Sequence, residues 1–275
     1  MKTVIDSTRA GKLNWREILN YTGLFRYLSL RDVLVRYKQT WAGLLWAIIR
    51  PLIQIVIFGF LNLIIQKNAD YKNAFLFVSS GVIMWQLIST AITDISNSLV
   101  SNSNILTKVY FPKILLPASS LLVCLIDFAI AFVIFVVMFL ILKGAPGWEI
   151  LFLPLVLIYA IVFCFAVGML FATMNVKYRD VKFVLPFILQ IAFYISPVFL
   201  TTGFYLERNV PEILKDIYML NPLVTILDGF RFCFFGGEAI HSVPLFLGSV
   251  GITLLLLIFS VRYFLRFEKT FADFI

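Results

Sequence analysis

Six stretches of the chain stay apolar long enough to cross a ~30 Å hydrocarbon layer as helices. They fall at about Leu44–Ile65, Ala74–Ile95, Ile114–Leu142, Ile150–Met174, Phe183–Thr202 and Val243–Tyr263. None alternates polar and apolar positions as a barrel strand does. Backbone groups in lipid must pair within their own segment, so the pattern predicts helices. The fold class expected is an all-α integral membrane protein. Six transmembrane helices would occupy residues 44–275, after an N-terminal cytoplasmic segment over residues 1–43.

Composition excludes the soluble alternatives. Of 275 residues, 61% are hydrophobic and 14% charged, against roughly 45–50% and 25% in soluble domains. Phenylalanine alone occurs 29 times, and mean hydropathy is +0.96. A globule of this size leaves too much surface facing water to hide so much apolar material. Cys124, Cys164 and Cys233 form an odd set in apolar surroundings, which reads as small buried side chains and not as a disulfide framework. The first 21 residues carry charges throughout and lack the apolar core of a cleavable signal.

Charge placement sets the expected orientation. With the N-terminus inside, sixteen of the 23 Lys and Arg residues fall in inner segments and six in outer ones, Arg50 lying within the first span. Basic excess marks the cytoplasmic side, so both termini are expected there. The net charge of +8 then reflects topology and attraction to anionic lipid, not nucleic-acid binding.

Three segments promise more than a crossing. Ser29-Leu-Arg-Asp32 reads as a helix start with Ser29 as cap. Beyond it Leu30, Val33, Leu34, Tyr37 and Trp41 share one helical face, with Arg31, Asp32, Lys38 and Gln39 on the other. Such a helix lies in the membrane plane, either as a plain anchor or as a collar at the inner mouth of a pathway. The inner loop Asn97–Lys113 turns from polar to mixed, with Pro112 before the third span. It is a solvated connector or a short helix whose exposed Ile105, Leu106, Val109 and Tyr110 dock into a soluble partner.

The third segment, about Gly203–Ser242, lies outside. Pro211 opens an amphipathic stretch Glu212–Leu220, Asn221-Pro222 stops it, and Leu223–Phe235 is apolar but too short to cross. Asp228 and Arg231, three apart, are placed to pair on its surface, and Gly236-Gly237 ends it. The choice is between two half-depth helices capping a pore and an ordinary folded loop.

Several chemistries lack their residues. There is no Gly-x-x-x-x-Gly-Lys-Ser/Thr phosphate cradle and no Cys-x-x-Cys, and His241 is the one histidine, so neither P-loop nucleotide binding nor a His-rich zinc site is expected, and no metal. Arg50, Asp94 and Asp127 are the charges inside the spans, Arg262 standing at the inner end of the last. Intramembrane charges invite functional explanations, although Arg50 sits where a long side chain reaches the phosphate level. Asp127, deep in its span, is expected to face a bundle interior or water. Tyr37, Trp41, Trp46, Trp85, Phe187, Phe193 and Tyr194, several near Gln54, Gln86 and Gln190, suit membrane belts and equally a surface on which sugar rings stack.

The stretch from Arg36 to Pro51, RYKQTWAGLLWAIIRP, resembles the signature of the membrane subunit of polysaccharide-exporting ABC transporters, the ABC-2 group that secretes O-antigen, teichoic acid and capsule. Val109–Lys113 (VYFPK) and Leu220–Pro222 (LNP) match in the same order, so the resemblance covers essentially the whole chain. It implies a homodimer of six-span permeases in a bacterial inner membrane, completed by two copies of a separate ATP-binding subunit. ATP and Mg would sit in that subunit, with no cofactor and no catalytic residue in this chain.

The cargo implied is a glycan linked to undecaprenyl pyrophosphate, O-antigen being favoured. Teichoic acid, capsular polysaccharide or a drug remain the alternatives within the group. By the same resemblance Leu30–Trp41 is the interfacial helix at the entrance. Tyr37, Trp41, Trp46 and Trp85 become candidates for the substrate pathway, and Arg36, Lys38 and Arg50 for the pyrophosphate, whose oxygens suit Arg forks. Ser103, Ile105, Leu106, Lys108 and Val109 would couple to the ATPase, and Asn221, Pro222, Asp228 and Arg231 would belong to an outer gate.

Two other classes make different demands. A lipid-sugar transferase needs clustered carboxylates or metal ligands, for which Glu207, Glu212 and Asp216 are the acidic group on offer. A proton-driven flippase needs several ionisable groups within its spans.

Overall fold

The computed structural model describes residues 19–38, 43–65, 71–178, 180–206, 211–237, 243–268 and 271. Within them no strand occurs, and the helices follow the apolar runs. They are α1 (Thr22–Lys38), α2 (Gly43–Ile65), α3 (Tyr71–Ser101), α4 (Ser103–Leu106), α5 (Leu115–Leu142), α6 (Leu153–Lys177), α7 (Val181–Ile195), α8 (Thr202–Leu206), α9 (Glu212–Met219), α10 (Pro222–Phe235) and α11 (Val243–Phe267). A 3₁₀ turn, Trp148–Phe152, leads into α6. This is an all-α, multi-pass membrane protein.

Helices α2, α3, α5, α6 and α11 are each long and apolar enough to cross a bilayer. The fifth expected span is shorter than its apolar run. Helix α7 has 15 residues, about 22 Å at 1.5 Å per residue. It stops because Ser196, with ψ 152°, precedes Pro197, and a residue before proline is driven out of the helical region. The chain then turns through 196–200 into α8.

Helix α3 is the axis of the bundle. Most of its length is buried, with α5 and α6 packed along it and α11 against α6. In lipid, helices associate by close packing, and small residues allow their backbones to approach. Gly168 of α6 is such a place: a Cβ there would fall 2.7 Å from the Cβ of Ile95.

Two hydrophobic clusters fill the interior, one gathered at one end and the other running along the rest of the bundle. One joins Leu28 of α1, Leu99 of α3, Leu106 of α4, Leu116 of α5, Val176 of α6 and Phe264 of α11. The segments that carry most of the basic charge therefore gather at a single end. The other cluster anchors α10 to α5 through rings: Phe234 lies 4.8 Å from Phe135 and 5.3 Å from Phe139, and Phe230 lies 5.7 Å from Phe135, centroid to centroid. Tilted and edge-on ring pairs of this kind add to burial, which gives many of the phenylalanines a structural use.

Candidate functional site

Helix α1 begins earlier than its sequence suggests. Ser29 is a buried mid-helix residue whose hydroxyl has no partner, so it does not cap the helix. The helix also faces the other way from a simple reading of its stripe. Leu30 and Leu34 are 51% and 56% exposed, whereas Arg31, Asp32 and Arg36 turn towards the bundle. Leu30, Leu34 and Val35 face outward, where lipid would lie, while Arg31 and Arg36 face protein together with Leu28 and Tyr37.

Those charges form a clamp. The two terminal nitrogens of Arg36 donate to different helices, Nη2 to Asp94 of α3 and Nη1 to Asp127 of α5. The Tyr37 hydroxyl donates to the other oxygen of Asp127, and the Cys124 thiol donates to Asp94 across 3.2 Å. Arg31 completes the set, donating at 2.6 Å both to Asp32 and to Asn102, which stands between α3 and α4. Beside them lies a cleft of about 480 Å³ lined by Arg31, Arg36, Asp94, Asn97, Ser101 and Ser120.

The clamp is partly hydrated, since each of its charged side chains keeps some exposure, so screening reduces its strength below that of a dry pair. Partial burial opposes the charge on Arg36, but the carboxylates of Asp94 and Asp127 outweigh it and hold the guanidinium above its ordinary value. Burial, followed by the hydrogen bond to Asp127, pushes the Tyr37 phenol up.

The opposite end has a second pin. Arg231, only 6% exposed, donates through Nη2 to the Val198 carbonyl at 2.7 Å and lies 3.5 Å from Asp228. Its guanidinium stacks 3.6 Å above the Phe77 ring of α3. The Thr202 hydroxyl donates to Asp228. Gly81 makes room for this junction, because a Cβ there would lie 2.0 Å from the Val198 oxygen and 2.7 Å from Arg231 Nη2. Asp228 and Arg231 thus meet in the interior and not on a helix surface. Asn221 caps α10 by accepting from the Leu223 amide at 3.0 Å, with Pro222 in the first turn. Helices α9 and α10 bend by 71°, and α10 ends where Gly236 and Gly237 take φ of +65° and +86°.

The remaining candidates divide. Lys38 and Arg50 are exposed and make no ion pair among the described residues, while Arg36 is held by carboxylates. Trp85 is buried, edge-on to Phe193 at 5.5 Å. Trp41 and the side chain of Trp46 lie outside what is described. In the inner loop Ser103 begins α4, Ile105 packs partly against the end cluster, and Lys108, Val109 and Tyr110 are exposed. Leu106 corrects the expectation of exposure: it is 5% exposed, because α4 packs its apolar side onto the end of the bundle. Sequence reasoning missed Asp94 and Asn102 as partners for α1. The available signal was a pair of carboxylates within spans, each needing a cation.

The ABC-2 type transporter family matches residues 23–235, a stretch that includes both the clamp and the pin. The chain belongs to the ABC-2 type transporter family. As an ABC-2 membrane protein it is also similar to curated relatives along nearly its whole length. The O-antigen export system permease protein RfbA of Myxococcus xanthus is 25% identical over 242 residues, 87% of this chain and 91% of that protein. A protein of the same name from Klebsiella pneumoniae is 25% identical over 250 residues, 90% and 92% of the two chains. The ABC-2 fold places the chain among transport permeases.

Proposed function

We propose that this chain is the permease subunit of an ABC transporter that exports a lipid-linked polysaccharide of the O-antigen kind across a bacterial inner membrane. It works as a homodimer with two copies of a separate ATP-binding subunit, which supplies the ATP and Mg chemistry, and both its termini are cytoplasmic. Similarity to two O-antigen export permeases over about nine-tenths of the chain supports the cargo class.

The observation that carries the mechanism is the Arg31–Asn102 bond, which ties the interfacial helix to the turn that leads into α4. Lys108 and Val109, exposed just beyond α4, face the ATP-binding subunit. ATP-driven closure of that subunit moves the loop, and Asn102 and the Arg36 clamp pass the movement to α1, α3 and α5. The pin at Arg231 keeps α9 and α10 across the far end until the bundle shifts. The free energy lies in the partner's different affinity for the two states. Arg50 and Lys38 remain open to the cargo's pyrophosphate, whereas Arg36 reaches it only by leaving its carboxylates.

The decisive experiment deletes the chain in its host and follows lipid-linked glycan. Glycan is expected to accumulate on the cytoplasmic side, export being restored by re-supplying the chain when the ATP-binding subunit is present and not when that subunit is deleted as well. Export continuing without that subunit overturns the reading.

A further inference from the structure

Helix α11 reaches from the exit of the inner loop to the bend between α9 and α10. At the inner end the loop leaves its exposed tip at Lys108–Tyr110, buries the Phe111 ring in the end cluster and is caught at Lys113. The Lys113 amide donates to the Glu268 carboxylate at 3.0 Å, and its ammonium donates to the Glu268 carbonyl at 2.6 Å. Glu268 follows directly on α11, its own amide bonded back to the Phe264 carbonyl at 2.8 Å. Phe271 stands edge-on to Phe264 at 5.2 Å, and its ring centroid lies 5.5 Å from the same ammonium. One of the two bonds to Glu268 runs through the main chain of Lys113, so it fixes the course of the loop and not merely a side chain.

At the far end α11 packs on α9 and α10. Gly248 brings it against the bend, since a Cβ there would lie 2.6 Å from Leu220 Cδ2. Between these ends α11 is one helix of 25 residues, about 37 Å at 1.5 Å per residue. Its outer part is tied to α6, where the Tyr159 hydroxyl and Ser249 Oγ stand 2.6 Å apart and Thr253 donates to Tyr159 at 3.3 Å. Lys113 closes the VYFPK stretch and Leu220 opens the LNP stretch. The two motifs lie at opposite ends of the molecule, and α11 touches both. A hydrogen-bonded helix keeps its length, and close-packed interiors transmit strain instead of absorbing it. A displacement at Lys113 therefore arrives at Leu220 along α11, separately from the route through Asn102 and the Arg36 clamp.

We infer that Glu268 is a positioning residue that links the inner loop to the outer helices through α11. The inference rests on the export reading and adds a second route to it, one that ends at α9 and α10 and not at α1, α3 and α5.

The test uses the full chain assembled with its ATP-binding subunit in nanodiscs. A nitroxide is placed on Ile213→Cys of α9 or on Leu34→Cys of α1, both exposed positions. Spectra are compared without nucleotide and with ADP–beryllium fluoride, which holds the ATP-bound closure. With no further substitution both labels should change mobility. Glu268→Ala should cut the change at Ile213 at least threefold, keep the change at Leu34 and leave the unfolding temperature where it was. Glu268→Gln, whose amide oxygen still accepts from the Lys113 amide, should behave as wild type. Leu220→Ala, which empties the far contact, should act as Glu268→Ala does, and it serves if Glu268→Ala lowers stability. An unchanged Ile213 response in both alanine variants overturns the α11 route and leaves the export reading standing. Loss at Ile213 and Leu34 together in Glu268→Ala assigns Glu268 to holding the fold and overturns the route as well. No response at either label without further substitution overturns the coupling on which the inference rests.

Discussion

Arg36 and Asp127 stand 91 positions apart in the chain and meet at the edge of the bundle, where the guanidinium of α1 is shared between Asp127 and Asp94. The relationship makes α1 a part of the bundle and not a float on the membrane surface. It also converts two intramembrane carboxylates, expensive when alone, into half of a satisfied network.

Removing one member should leave the others uncompensated. Asp127→Asn is expected to lower stability by about 1.5–3 kcal/mol, the range for hydrogen bonds to charged groups. Arg36→Gln, which strips both carboxylates of their partner, should cost more than Asp127→Asn. Thermal unfolding of the purified chain in detergent ranks the two. Equal stability of both variants and wild type would show that α1 is held by other means.

The clamp should weaken in alkali. The folded state holds both Arg36 and the Tyr37 phenol above their ordinary values, so their contribution is complete below the unfolded values and is lost as pH rises through the folded ones. For Tyr37 the loss begins near pH 10, the ordinary phenol value. Unfolding midpoints measured from pH 7 to 11 should fall more steeply for wild type than for Tyr37→Phe above that point, and run parallel below it.

At the far end the geometry separates two glycines. Gly81→Ala drives a methyl group into the Val198 carbonyl and Arg231, neither of which has room to retreat, and should destabilise by about 3 kcal/mol or more. Gly248→Ala meets only the Leu220 Cδ2 atom, the movable end of a side chain, and gains about 1 kcal/mol of helix propensity, so it should be near neutral. Expression level and unfolding temperature of the pair read this out directly.

Coupling is best probed at Lys108, because Leu106 is buried and its replacement by proline damages folding as well. Lys108→Glu should leave unfolding temperature unchanged, leave basal ATP hydrolysis by the assembled transporter intact and reduce export several-fold. Normal export by this variant removes Lys108 from the coupling surface.

Apolar run length made the long helices readable, and Asn221-Pro222 with Gly236-Gly237 marked the limits of α10 correctly. What escaped was rotation. The stripe of Leu30 and Leu34 revealed an amphipathic helix, but only packing against α3 and α5 determines that its charged face turns inward. Leu106 is the same lesson on a smaller scale, a residue whose burial depends on where α4 lands. The early end of α7 was written in Ser196-Pro197, yet hydropathy, which averages over such breaks, carried the span to Thr202. Partners such as Asn102 for Arg31 lie too far apart in sequence for any local rule to join them.

The short α7 also has something to say about the lipid around it. A rod of about 22 Å beside a hydrocarbon slab of about 30 Å leaves a mismatch that local thinning, side chains reaching to the interface or a neighbouring subunit takes up, at a modest elastic penalty per ångström. Where thinning is the response, the flank along α7 is the narrowest stretch of apolar barrier beside the described helices.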